Sequence, residues 1–117
     1  MGIQNLSEDV FLITLPEQPQ QSDELESVSR MLSDKVDSDV VIDFAKVKML
    51  TSESICGLMI LERLLRGSGH RLILCSVPSV IKQIFVRTGL LTVFEFADNE
   101  LAALGYLRSG QMSWAGI

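Results

Sequence analysis

Residues 39–65, DVVIDFAKVKMLTSESICGLMILERLL, constrain this chain more tightly than any other stretch. Val40, Val41 and Ile42 form an unbroken β-branched run, the pattern of a strand covered on both faces. Asp43 ends the run, and Val47, Met49 and Leu50 bring the chain back toward a core. Thr51, Ser52 and Ser54 then offer hydroxyls to cap a helix start, with Glu53 in the first turn, where the helix dipole favours an acid. An apolar helix follows at once. In open sheets covered by helices, function gathers where strand ends meet helix starts. The turn at residues 51–54 is therefore the first place to look for a site.

The rest of the chain repeats this alternation. Residues 10–15 read as a strand, paired with a shorter extended segment at residues 3–6. Pro16 and Pro19 with their glutamines make a loop. Ser22 is placed to cap a first helix with an acidic first turn (Asp23, Glu24, Glu26), and Leu25, Val28, Leu32 and Val36 share one of its faces. Asp37, Ser38 and Asp39 end it. The second helix is expected over residues 54–66, with Ile55, Leu58, Met59, Leu61 and Leu65 for burial and Gly67, Ser68 and Gly69 as its C-terminal turn. Residues 71–77, RLILCSV, predict another buried strand, and Pro78 suits the first turn of a third helix. That helix turns Val80, Ile81, Ile84 and Phe85 inward and Lys82, Gln83 and Arg87 to water, with Gly89 as its cap. Residues 91–96 predict a last short strand. Asp98 then caps a fourth helix carrying Leu101, Leu104 and Leu107. The expected class is α/β: one domain over residues 1–108, a mixed, mostly parallel sheet of four or five strands with four helices packed against it, joined by right-handed crossovers. Residues 109–117 read as a loose tail from which Trp114 can dock.

Composition excludes several classes. At 117 residues the chain is long enough for one cored domain, and its apolar runs stop well short of a membrane span. The N-terminus has no basic region or apolar signal core, and Leu6 breaks the myristoylation pattern after Gly2, so a cytoplasmic protein without membrane insertion is expected. Ten basic residues are scattered among fifteen acidic ones, net charge −5, with no basic stripe for nucleic acid. Arg63, Arg66 and Arg71 gather around one turn, where cations complement a helix C-terminus and form a solvated rim. Cys56 and Cys75 make neither a CxxC nor a zinc pattern and read as small core residues.

Catalytic patterns are missing. There is no GxGxxG after a strand, no GxxxxGK[S/T] and no GxSxG. His70 stands alone, a rim residue with no second ligand at metal spacing. Asp43 is internal to its segment and lacks the neighbouring acids that an acidic-cluster site would need. No acid–base pair suggests itself, and no cofactor or metal is expected.

Three ordered segments carry a family resemblance. VVIDFAKVKMLTSESICGLMIL is similar to the STAS-domain core, commonly VVLDLSGV-x-F-I/M-D-S-S-G-L-G-VLL. The stretch from Gly69 to Pro78, GHRLILCSVP, resembles the family's G-x-L-x-L-x-x-V-x-P, and VIKQIFVRTGL resembles its V-x-x-V-F-x-x-T-G-L, with Phe94 matching the aromatic that follows. The likeness covers about residues 39–104 and is weak over residues 1–38. It implies a bacterial, non-enzymatic protein-binding module of the kind found in anti-sigma factor antagonists. In those the helix after D-S-S-G docks on a partner, often a serine-kinase-type anti-sigma factor, and phosphorylation of the second serine ejects it. Carried over position by position, the aspartate falls on Thr51, the first serine on Ser52, the phospho-acceptor on Glu53, and the two glycines on Ser54 and Cys56.

Glu53 cannot accept phosphate. Either it mimics the phosphorylated state, or the chain represents a branch that binds partners without phosphorylation; a glutamate copies a phosphate's near-double charge poorly. Its plain role is to complement the helix dipole, worth under about 1 kcal/mol. Ser52 and Ser54, with Thr51, remain as displaced acceptors whose ordinary role is capping. The expected partner surface is thus Thr51, Ser52, Glu53, Ser54 and Gly57, extended by Arg63, with a bulky charge at Gly57 expected to abolish binding and spare the fold. The alternative implied by the resemblance is an accessory subunit of a membrane lipid-transport ATPase. Oligomeric state stays open at this stage.

Overall fold

A computed structural model describes residues 2–7, 10–15, 21–33 and 38–109. The described elements are β1 (Gly2–Ser7), β2 (Val10–Thr14), α1 (Gln21–Ser33), β3 (Asp39–Asp43), α2 (Ser52–Gly67), β4 (Leu72–Cys75), α3 (Ser79–Arg87), β5 (Glu95–Ala97) and α4 (Glu100–Ser109). They build one sheet in the order β1-β2-β3-β4-β5, antiparallel between β1 and β2 and parallel from β2 to β5.

Each parallel strand lies beside its predecessor, so α1, α2 and α3 are successive crossovers stepping the same way. Right-handed crossovers that step in one direction lay their helices on one face of the sheet. Accordingly Leu25 and Val28 of α1, Leu58, Leu61 and Leu65 of α2, and Ile81 and Phe85 of α3 share one core with Val40, Ile42, Leu72, Leu74 and Phe96. The opposite face is closed by α4, whose Ala103 packs with Val10, Leu12, Val41, Ile73 and Cys75, flanked by Leu104 and Leu107. This is why the β3 run is apolar throughout: Val40, Val41 and Ile42 are all buried, but on two sides. Each such side chain contributes roughly 1.5–3 kcal/mol by leaving water. Phe85 anchors the three-helix face, with Phe94 and Phe96 edge-on at 5.5 Å each and Phe44 at 6.4 Å.

Among the described residues, sheet, helix number and mixed topology agree with the sequence reading, and the αL glycines Gly69 (φ +78°) and Gly89 (φ +74°) end α2 and α3 as expected. Local details differ. The last strand is only Glu95–Ala97; after Gly89 reverses the chain, Val93 donates to the Leu90 carbonyl, and Leu90, Leu91 and Val93 pack on the core as a turn. The cap of α4 is Asn99, whose side chain accepts from the Ala102 N–H at 2.8 Å, not Asp98. Leu101 is 80% exposed, because α4 turns its 103/104/107 side to the sheet. Val80 is likewise exposed, since Ile81 and Phe85 define the inward stripe of α3. Met49 faces water between buried Val47 and Leu50. Ser22 lies inside α1, which begins at Gln21. Val36, Asp37, the loop at 16–20 and the tail at 110–117, Trp114 included, lie outside the described residues. Among the described residues no helix is long and apolar enough to cross a membrane.

Candidate functional site

The path from β3 to α2 is held from both sides. Asp43 accepts from the Ala45 N–H at 2.8 Å, and the Val47 N–H donates to the Phe44 carbonyl at 3.0 Å, so the chain turns sharply where the strand stops. Val47 and Leu50 then anchor the segment while Lys48 and Met49 stay outside. Thr51, in extended backbone (φ −99°, ψ 167°), is the N-cap of α2: its Oγ1 accepts from the Ser54 N–H at 3.2 Å and lies 3.2 Å from the Ser54 hydroxyl. The helix thus starts at Ser52, two residues before the expected start at Ser54.

This cap sorts the predicted site residues. Ser52 and Glu53 project into solvent from the first turn. Thr51 is half-buried, and Ser54 is fully buried beneath it, so Ser54 forms the floor of the turn rather than its rim. Gly57 is no free surface position either. A Cβ placed there would meet Leu25 Cβ at 3.1 Å and Cδ1 at 3.3 Å, so α1 rests on this glycine. A bulky charge at Gly57 therefore separates two helices and cannot spare the fold. Cys56, read from its apolar neighbours as a core residue, is exposed.

Sequence reasoning missed Ile60, which is 59% exposed. It stands between two shallow grooves. One, about 740 Å³, runs along α1 and α2 past Glu26, Arg30, Glu53 and Gly57; the other, about 830 Å³, passes Met59, Arg63 and Gly67. Cys56, Ile60 and Leu64 line both. A signal was available, since residues 55–65 are more apolar than one buried face requires.

Other charged groups settle into structural roles. Arg71 belongs to no rim: its Nε donates to Glu95 at 3.0 Å, Nη2 also bonds Glu95, and Nη1 reaches the Tyr106 carbonyl at 3.2 Å, tying β4 to β5 and α4. The hydrogen bond to Glu95 pushes the Arg71 pKa upward despite partial burial. Arg66 pairs with Glu62, and Arg63 is exposed. His70 Nδ1 lies 3.2 Å from Asp39, which also accepts from the Arg71 N–H at 2.8 Å. Asp43 does gain an acidic neighbour in space: burial, then the hydrogen bond and charge of Asp43, raise the Glu100 pKa. Burial, then the Asp43 charge, pushes the Cys75 thiol up to about 12. Among the described residues no group of three or more His, Cys, Asp or Glu could hold a metal ion.

No protein-family profile matches the chain, and no curated protein sequence matches it. Solved structures do. A proposed anti-sigma factor antagonist of Thermotoga maritima superposes with a TM-score of 0.79 at 14% identity, covering 92% of this chain and 93% of that one. A serine-to-glutamate variant of RsbS from Moorella thermoacetica gives 0.78 at 18% identity, covering 92% and 94%. The anti-sigma factor antagonist SpoIIAA in its unphosphorylated form gives 0.72 at 14% identity, covering 92% and 96%.

Proposed function

Starting from the STAS fold that these structures share with the chain, we propose a non-enzymatic, protein-binding regulatory module of the anti-sigma factor antagonist kind. Its docking surface is Thr51, Ser52 and Glu53 at the head of α2 together with the helix's outer face down to Arg63; Ser54 and Gly57 hold that surface in place from beneath. The observation that carries the reading is the solvent-facing Ile60 between two grooves, directly below an exposed turn of polar residues. An exposed apolar residue at the centre of a polar rim is how protein interfaces are built. The proposed partner is a serine-kinase-type anti-sigma factor. Glu53 occupies the usual phospho-acceptor position, and Ser52 is the hydroxyl in this turn that a kinase can reach.

The test is a pull-down from native lysate with wild-type protein and an Ile60→Glu variant, read by mass spectrometry. A serine-kinase-type anti-sigma factor recovered by the wild type and lost with the variant supports the reading. Equal recovery with both rejects this surface. Recovery of transport ATPase subunits instead would place the chain with the accessory subunits of membrane transport machines. Phosphorylation at Ser52 is checked in the same cells on the tryptic peptide covering residues 49–63, and an unmodified peptide under every growth condition removes it.

A further inference from the structure

We propose that the outer face of α2 pairs antiparallel with the same face of a second copy of this chain. Among the exposed residues of the helix, which also include Ser52 and Arg66, a single stripe is formed by Glu53, Cys56, Ile60, Arg63 and Gly67. Their spacing of three, four, three and four residues is that of the a and d positions of a heptad seam. In an antiparallel pair each a position faces a d position. Centred on the level of Leu58, the register sets Cys56 against Ile60 of the second copy and Glu53 against Arg63 of the second copy, each twice by symmetry. The seam then has an apolar middle closed at both ends by opposite charges.

Charge complementarity singles out this occupant. Glu53 and Arg63 lie about 15 Å apart along one helix, too far to pair with each other, and neither belongs to an ion pair among the described residues. The pattern read backwards is its own complement, which is what an isologous interface requires. Parallel pairing would oppose Glu53 to Glu53 and Arg63 to Arg63, so the same charges that favour one orientation exclude the other. The shape agrees: Ile60 is a ridge with a groove on each side, suited to ridge-into-groove packing. Two heptads form a small interface, at the low end of specific contacts, so the dimer forms and dissociates with concentration. Self-association buries the face assigned above to a protein partner, and so competes with docking. The inference goes beyond that assignment and does not depend on it.

The test is sedimentation equilibrium of the purified full chain from low micromolar to millimolar concentration. Wild type is expected to pass from monomer to dimer. Glu53→Arg and Arg63→Glu, each placing like charges at both ends of the seam, are each expected to weaken dimerisation about tenfold. The double variant Glu53→Arg/Arg63→Glu restores it to near the wild-type constant. Far-UV circular dichroism confirms that all four proteins are folded, and Ile60→Glu supplies a disruption that does not rely on charge. A wild-type monomer throughout the range overturns the proposal. So does a dimer indifferent to the single reversals, or a double variant weaker than either single one. Because only the purified chain is used, a monomeric result leaves docking of another protein standing, and a failed pull-down leaves the pairing standing.

Discussion

Gly57→Ala, compared with Gly105→Ala, measures how firmly α1 rests on α2. Within a helix, alanine is favoured over glycine by about 1 kcal/mol. Around Gly105 an added Cβ meets nothing within 4 Å, so Gly105→Ala should gain roughly that amount. At Gly57 the same Cβ meets Leu25 at 3.1 Å (Cβ) and 3.3 Å (Cδ1). The Cδ1 can rotate away, but the Cβ is fixed to the backbone of α1, and Leu25 is fully buried. The whole of α1 must therefore retreat by a few tenths of an ångström. Overpacking of this kind costs about 1–3 kcal/mol and outweighs the propensity gain, leaving Gly57→Ala destabilising by about 1 kcal/mol. The two alanines should thus differ by about 2 kcal/mol, a gap of several degrees in Tm for a domain of this size. Urea unfolding followed by far-UV circular dichroism reads the difference, with m-values unchanged if both variants unfold as the wild type does. A Gly57→Ala protein as stabilised as Gly105→Ala would refute the close approach of the two helices.

Three further outcomes follow from the same geometry. Thr51→Ala removes the acceptor for the Ser54 N–H and should cost about 1 kcal/mol in urea unfolding, whereas Thr51→Ser should cost little; equal stability of both would mean the cap is idle. Towards an aromatic disulfide reagent at mildly alkaline pH, Cys56 should react in the native protein and Cys75, buried with its thiol pushed up to about 12, only after unfolding; two equally fast thiols in the native state would contradict this. Glu100 has a raised pKa in the folded state, so between its unfolded and folded values the native protein holds the extra proton, and stability contributed by this group falls as pH rises through that window. Glu100→Gln should therefore gain relative to wild type on going from pH 4 to pH 7, as measured by urea midpoints, and an opposite trend would show that burial and Asp43 do not raise the Glu100 pKa.

What the sequence made legible was set by burial on a repeating period. Val40, Val41 and Ile42, the Ile81/Phe85 pair and the two αL glycines announce a parallel sheet with helical cover, because each needs only local chemistry to be understood. Residues whose role depends on what another element brings to them were not legible. Gly57 looks open along α2 and is closed only by Leu25 of α1. Asp43 acquires an acidic neighbour only when α4 places Glu100 against the end of β3. Cys56 reads as core because its neighbours are apolar, and Ile60 drew no assignment at all, yet α2 has more apolar residues than its buried stripe can hold, and the surplus lies outside. The same limit applies at the turn, where hydroxyl spacing marks a cap but cannot say which serine is covered.

That last distinction bears on how the turn can be regulated. A phosphate on Ser54 would have to expel a fully buried hydroxyl and break its contact with Thr51. A phosphate on Ser52 would meet no such obstacle and would sit where the dipole of α2 favours negative charge. Its consequence depends on what faces the helix. Against a heterologous partner that receives Glu53, added charge and bulk act to eject it, as the resemblance implies. Against a second copy that presents Arg63, added negative charge beside Glu53 strengthens the seam instead. One modification would thus push the two proposed occupants of the same face in opposite directions, and the exposed Glu53 beside it would set the resting balance between them.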